Sequence, residues 1–175
     1  EALCKAAGVT KGAFFHHFPS KDALGVAVAE HWLEVIDQWF SKAPYQSEED
    51  PAERLLSYVR VRIAILDRSV EAFSCLVGAM ASEVYRSHPA IREACARTIE
   101  AHALGFEPVI AAAMEARGMK NAPFTPKSLA MFIHGTLQGA FVLAKATDGA
   151  EVARRNIEHL ERYLTMLFFP ERITP

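Results

Sequence analysis

The chain has 175 residues, 51% of them hydrophobic, and its 19 Lys and Arg against 21 Asp and Glu give a formal charge of −2. That is enough apolar material for one or two packed domains, and too little positive charge for a protein that coats nucleic acid along its length, so any DNA contact is confined to a small region. The absence of an uninterrupted apolar run of about 18 residues argues against a membrane span.

Three widely spaced cysteines, Cys4, Cys75 and Cys95, fit buried thiols in a reducing, cytoplasmic setting better than a disulfide framework. No CxxC pair is present, which argues against structural zinc. Proline, glycine and capping residues divide the chain into helical blocks, with no convincing strand. The first block, Glu1 to Ala7, starts as though already inside a helix, so an N-terminal segment is expected to precede it, and Gly8 stops it. Thr10 caps a short helix to about Phe18, Pro19 ends that helix, and Ser20 opens the next.

Leu24, Val28, Trp32, Val35, Ile36, Trp39 and Phe40 then form a wide apolar stripe on a long helix ending before Pro44. Tyr45 to Asp50 reads as a polar, acidic loop. Asp50, Pro51 and Glu53 resemble an N-cap, a first-turn proline and a capping-box partner for a helix with Leu55, Leu56, Val59, Ile63 and Leu66 on its apolar face. A further helix carries Phe73, Leu76, Val77, Met80 and Val84. The next starts at Pro89, with a kink expected near Gly105 and Pro108 and an end at Gly118. Two long helices close the chain, about Pro126 to Thr147 and Ala150 to Phe169, joined at Asp148-Gly149. The expected fold is all-α, a small helix-turn-helix module joined by a long helix to a larger helical bundle, with domains at residues 1–42 and 43–175.

The informative segment is LCKAAGVTKGAFFHHF, residues 3–18. Two short helices meeting at a three-residue turn with Gly8 have the form of a helix-turn-helix. Val9, Phe14 and Phe18 can point inward against Leu3 and Ala6. Lys11 and Phe15, flanked by Gly12 and His16, lie on the opposite side, and a short helix exposing a cation, a ring and imidazoles suits a major-groove probe. Gly12 permits close backbone approach, Thr10 offers a hydroxyl at a helix N-terminus, and Lys21 can hold a phosphate at the edge of the site.

The run AAGVTKGAFFHHFPSKDAL closely resembles the signature of TetR-family regulators, whose recognition helix reads A-G-V-S/T-x-x-x-L/F-Y-x-H-F before S-K-x-x-L. The resemblance implies DNA-facing roles for Thr10, Lys11, Gly12, Ala13, Phe15, His16, His17 and Lys21, and core roles for Phe14 and Phe18. Phe15 departs from the pattern: it keeps the ring but lacks the hydroxyl that reaches a phosphate. The resemblance further implies a double-stranded DNA operator, a homodimer, and a small-molecule effector bound within the regulatory bundle.

Polar residues on apolar faces are the best pointers to that cavity, because a buried polar group needs a partner and a ligand can be one. Arg62, His102, His134 and Gln138 meet this description, with Phe73 and Phe106 as aromatic lining. Gly135 and Gly139 at four-residue spacing allow close helix approach, inside the subunit or between subunits. On the family reading they join Phe141, Val142, Leu160, Leu164, Leu167 and Phe168 in a four-helix dimer interface. The seven histidines show no HExxH or similar ligand spacing, and no nucleophile signature accompanies them, so neither a metal, a cofactor nor a catalytic site is expected. The alternative reading is a helical small-molecule-binding protein or enzyme whose helix-turn-helix is structural.

Overall fold

The computed structural model describes residues 1–173, and all regular structure among them is helical. Ten α-helices occur in order: α1 (Ala2–Ala7), α2 (Lys11–His17), α3 (Lys21–Phe40), α4 (Pro51–Ala64), α5 (Val70–Phe73), α6 (Leu76–Val84), α7 (Pro89–Leu104), α8 (Glu107–Ala116), α9 (Pro126–Thr147) and α10 (Glu151–Phe168). They form two compact units, Glu1–Val35 with Leu76–Ile99, and Ile36–Cys75 with the residues from Glu100 onward. The first unit thus contains α6 and most of α7 in addition to the N-terminal helices.

In the first unit, α3 and α7 pack closely. Ala29, Ile91, Ala94 and Cys95 are buried, and the Thr98 hydroxyl donates to the Ala29 carbonyl at 2.8 Å. Gly25 makes the approach possible, since a Cβ there would lie 2.6 Å from Ile91 Cδ1. Ser20 caps α3 by accepting from the Ala23 N–H at 3.0 Å. Arg97 and Glu30 pair across the same two helices at 3.0 Å.

The second unit is built on α4, α8, α9 and α10. Asp50 caps α4, its carboxylate accepting from the Ala52 and Glu53 N–H groups and from Arg117 at 2.6 Å. Glu53 does not close a capping box; its carboxylate is drawn away to Arg60 and Arg172. The reciprocal box occurs at α9, where Thr125 and Ser128 bond each other's backbone N–H. Along α10, Ala153, Ile157, Leu160, Leu164 and Phe168 fall at three- and four-residue steps and are all buried; each large side chain of this kind contributes about 1.5–3 kcal/mol. Asp148 ends α9 in the left-handed region, φ 49°.

Several local expectations change. Tyr45 is not in an open polar loop but is buried in a 3₁₀ turn, Pro44–Ser47, because its ring packs on Phe40 and Tyr58. The helix expected through Phe73 and Val84 breaks at extended Ser74 into α5 and α6. The Gly105 kink is a full break between α7 and α8. Trp39 leaves the apolar stripe of α3 and is half exposed, with the Arg68 guanidinium 4.7 Å from its ring centre. α9 is long and apolar enough to cross a membrane, yet eight of its residues, from Leu129 to Ala144, are buried within the unit.

Candidate nucleic-acid interface and effector site

The turn between α1 and α2 begins at Gly8, whose φ of 64° lies in the left-handed region that favours glycine. Its N–H donates to the Lys5 carbonyl and that of Val9 to the Cys4 carbonyl, closing α1. Thr10 is extended, and its Oγ1 accepts from the Ala13 N–H at 3.1 Å. This fixes where α2 begins and therefore which side each residue takes. Phe14 and Phe18 are half-buried one turn apart, their ring centres separated by 5.8 Å.

Lys11, Gly12, Phe15 and His16 are exposed on the other side of α2. The Phe15 ring stands edge-on to Phe14 at 5.1 Å and remains 49% exposed. Ala13 and His17, expected to face DNA, line an apolar groove of about 380 Å³ together with Phe14, Phe18, Leu3 and Val9. Both are themselves exposed, toward the side of the helix that carries residues 14 and 18. Thr10 and Lys21 are exposed at the N-termini of α2 and α3.

In the second unit, the polar residues singled out on separate helices converge. The Arg62 guanidinium of α4 lies over the Phe40 and Phe141 rings, 5.3 and 5.1 Å from their centres. His102 of α7 and His134 of α9 stand with ring centres 5.6 Å apart, and Gln138 meets His134 at 3.0 Å. Phe106 packs against His102 and against Tyr58, and Phe73 against Phe141. Burial pushes His102 down to about 3, helped by His134 and by the Arg62 charge. Burial and then Arg62 bring His134 down to about 4. Both rings are therefore neutral at physiological pH. Burial also raises Tyr58, and Tyr45 to about 12.

A cavity of about 270 Å³ adjoins this cluster, walled by Phe40, Tyr45, His102, Phe106 and Val109, with Asp37 also among its lining residues. Phe40, Tyr45 and Tyr58 are members of the cluster that the sequence pattern does not single out. Tyr58 had a usable signal, because it lies four residues before Arg62 on the face of α4 that also carries Leu55.

The residues expected at a dimer interface divide. Phe141, Leu160, Leu164 and Phe168 are buried in the core of the unit and Leu167 packs partly against it; the buried stripe of α10 is taken up by α4 and α9. Gly135, Gly139 and Val142 are exposed, Val142 at 61%. They lie in a stripe with Phe132, Leu143, Tyr163 and Met166, all exposed, in which the Phe132 and Tyr163 rings are 5.3 Å apart. Phe132 is thus a surface residue and not part of the core.

Residues 1–28 match the family model of bacterial regulatory proteins of the tetR family. Residues 51–159 match that of the C-terminal domain of LmrA/YxaF-like transcriptional regulators. The HTH-type transcriptional repressor DhaR of Mycobacterium sp. strain GP1 is 28% identical over 95% of this chain and 78% of its own length. The HTH-type transcriptional repressor NemR of Escherichia coli K12 is 25% identical over 93% of this chain and 81% of its own. In fold, a TetR/AcrR-family regulator superposes with a TM-score of 0.71 at 22% identity, covering 93% of this chain and 86% of that one. Reduced E. coli NemR superposes with a TM-score of 0.70 at 24% identity over 91% of this chain and 82% of that one. With a tetR-family match over the helix-turn-helix and a regulator-domain match over most of the second unit, the chain belongs to the TetR family of DNA-binding transcriptional regulators.

Proposed function

We propose that this protein is a cytoplasmic, homodimeric repressor that a small apolar or aromatic effector releases from its operator. The observation that carries the reading is the division of α2 into two sides. Phe14 and Phe18 are turned inward, while a cation, a glycine, an aromatic ring and an imidazole stand exposed at positions 11, 12, 15 and 16. Lys11 and His16 then meet base edges or phosphates in the major groove. Thr10 uses its oxygen to cap α2, leaving its hydroxyl hydrogen for a phosphate, and Lys21 supplies a second backbone contact.

Two relatives that align over most of their length are named repressors, which favours repression over activation. The exposed apolar stripe on α9 and α10 favours pairing with a second copy, since surface apolar residues in a continuous patch mark interfaces. A two-fold pair places its reading helices in half-sites about 34–36 Å apart. The effector acts by preferring a conformation in which that separation is wrong, which requires unequal affinity for the two conformations.

The test is selection of bound DNA from a random pool with the full chain, followed by titration of the recovered site. Lys11→Ala with His16→Ala is expected to weaken binding by about 10-fold or more, to reduce its salt dependence, and to leave the assembly folded. Val142→Glu is expected to yield monomers by sedimentation and to abolish binding to the paired site. Unchanged affinity in the first variant, at every salt concentration, would refute the assignment of the reading side.

A further inference from the structure

Arg62 differs from the other arginines of its unit. Arg54 donates to the Glu48 carbonyl; Arg60, Arg117, Arg154, Arg155 and Arg172 pair with carboxylates. Arg162 meets His159, and Arg68 lies over Trp39 and is exposed. The Arg62 guanidinium makes no hydrogen bond or ion pair among the described residues, and its Nε is shut off from solvent without a partner.

The Phe40 and Phe141 rings attract the flat faces of this cation. Its N–H donors lie in the guanidinium plane, so the rings leave them unfilled. The titratable groups gathered around it, His102, His134, Tyr45 and Tyr58, are all held in their neutral forms. Asp37, a carboxylate lining the adjoining cavity, is exposed and forms no ion pair with Arg62. Arg62 is partly buried, with its Nε shut off from solvent and no anion beside it; a buried donor left unpaired is costly, and the natural complement of this cation is a charged acceptor. Arg recognises carboxylates with two parallel N–H donors.

We propose that the effector is a small aromatic carboxylic acid whose carboxylate pairs with Arg62. Its ring occupies the cavity beside Phe40, Tyr45 and Phe106, whose volume of about 270 Å³ lies just below the usual range of ligand pockets and suits a single ring. Phe40 forms both a wall of that cavity and one face of the Arg62 stack, so it is the ring that separates the guanidinium from the cavity, and the proposed pairing requires it to turn. The proposal rests on the effector reading above and adds the chemical class.

Calorimetric titration of the full chain with benzoate and phenylacetate, beside the matched neutral benzamide and phenylacetamide, tests it. The acids are expected to bind at least about 10-fold more tightly than their amides. Arg62→Met is expected to remove that preference, to leave amide binding unchanged, and to keep the melting temperature at or above that of the parent. Equal binding of acids and amides, no acid binding, or undiminished acid binding by Arg62→Met would each overturn the proposal. A melting temperature lowered by several degrees in Arg62→Met and Arg62→Gln alike would also overturn it, by showing that the cation is structural. Operator release is measured separately: acid binding without release leaves the anion site and removes the effector reading. Release by a neutral aromatic whose binding ignores Arg62 does the reverse.

Discussion

His134 and Gln138 stand one turn apart on α9, with Nε2 of the imidazole 3.0 Å from Nε2 of the carboxamide. The amide nitrogen donates, so the imidazole Nε2 accepts and the ring carries its proton on Nδ1. The bond therefore selects a neutral tautomer, in agreement with burial and the Arg62 charge, which depress proton uptake at His134.

This neutrality ties stability to pH. His102 and His134 take up protons near 6.5 when unfolded but only at about 3 and about 4 when folded. The unfolded chain thus binds more protons between these limits, and stability falls as pH falls below about 6.5. The slope is about 1.4 kcal/mol per pH unit for each ring fully titrating in the unfolded state. Urea unfolding at pH 7 and pH 5 is expected to show this loss, and His102→Leu with His134→Leu to flatten it. An identical slope in the double variant would mean that other groups carry the dependence.

On the proposed DNA-reading side of α2, Phe15→Tyr is expected to tighten operator binding. A hydroxyl added to a ring that is 49% exposed gains one phosphate hydrogen bond, worth about 0.5–1.5 kcal/mol or roughly 2- to 10-fold in affinity. The melting temperature stays where it was, because nothing in the core changes. Fluorescence anisotropy on the selected DNA measures the gain; no gain would place position 15 away from the backbone.

Within the first unit, Gly25→Ala is expected to destabilise by about 1–3 kcal/mol, as overpacking does. The new methyl would meet Ile91 Cδ1 at 2.6 Å. Ile91→Val removes that carbon at a cost of about 0.5–1.5 kcal/mol alone. Together the two substitutions should cost less than their sum, which denaturant melts of all four proteins would reveal. Strict additivity would show that the two residues do not set the spacing of α3 and α7.

The helix-turn-helix was legible in the sequence because its determinants are local: Gly8, Thr10 and the spacing of Phe14 and Phe18 set the turn, the start and the inward side within a dozen residues. Arg62, His102, His134 and Gln138 were legible as polar groups on apolar faces, and the fold brings all four together. Phe40 and Tyr45 were not, because a helical stripe says that a residue is buried without naming its neighbours. For the same reason Leu160, Leu164 and Phe168 read as interface residues. The width of an apolar face does not tell which helix covers it, and here α4 and α9 do so within one chain. The break at Ser74 leaves little trace in a pattern that stays apolar on either side.

The two depressed histidines also bear on what the second unit can report. Between pH 6 and pH 8 neither ring gains or loses a proton, so the charge lining this cluster is constant across the range in which cell interiors drift. A detector built on groups that titrate near neutrality would mistake acidification for its signal. On the proposed effector reading the second unit is blind to it, and a change in its occupancy can be read as a change in chemistry.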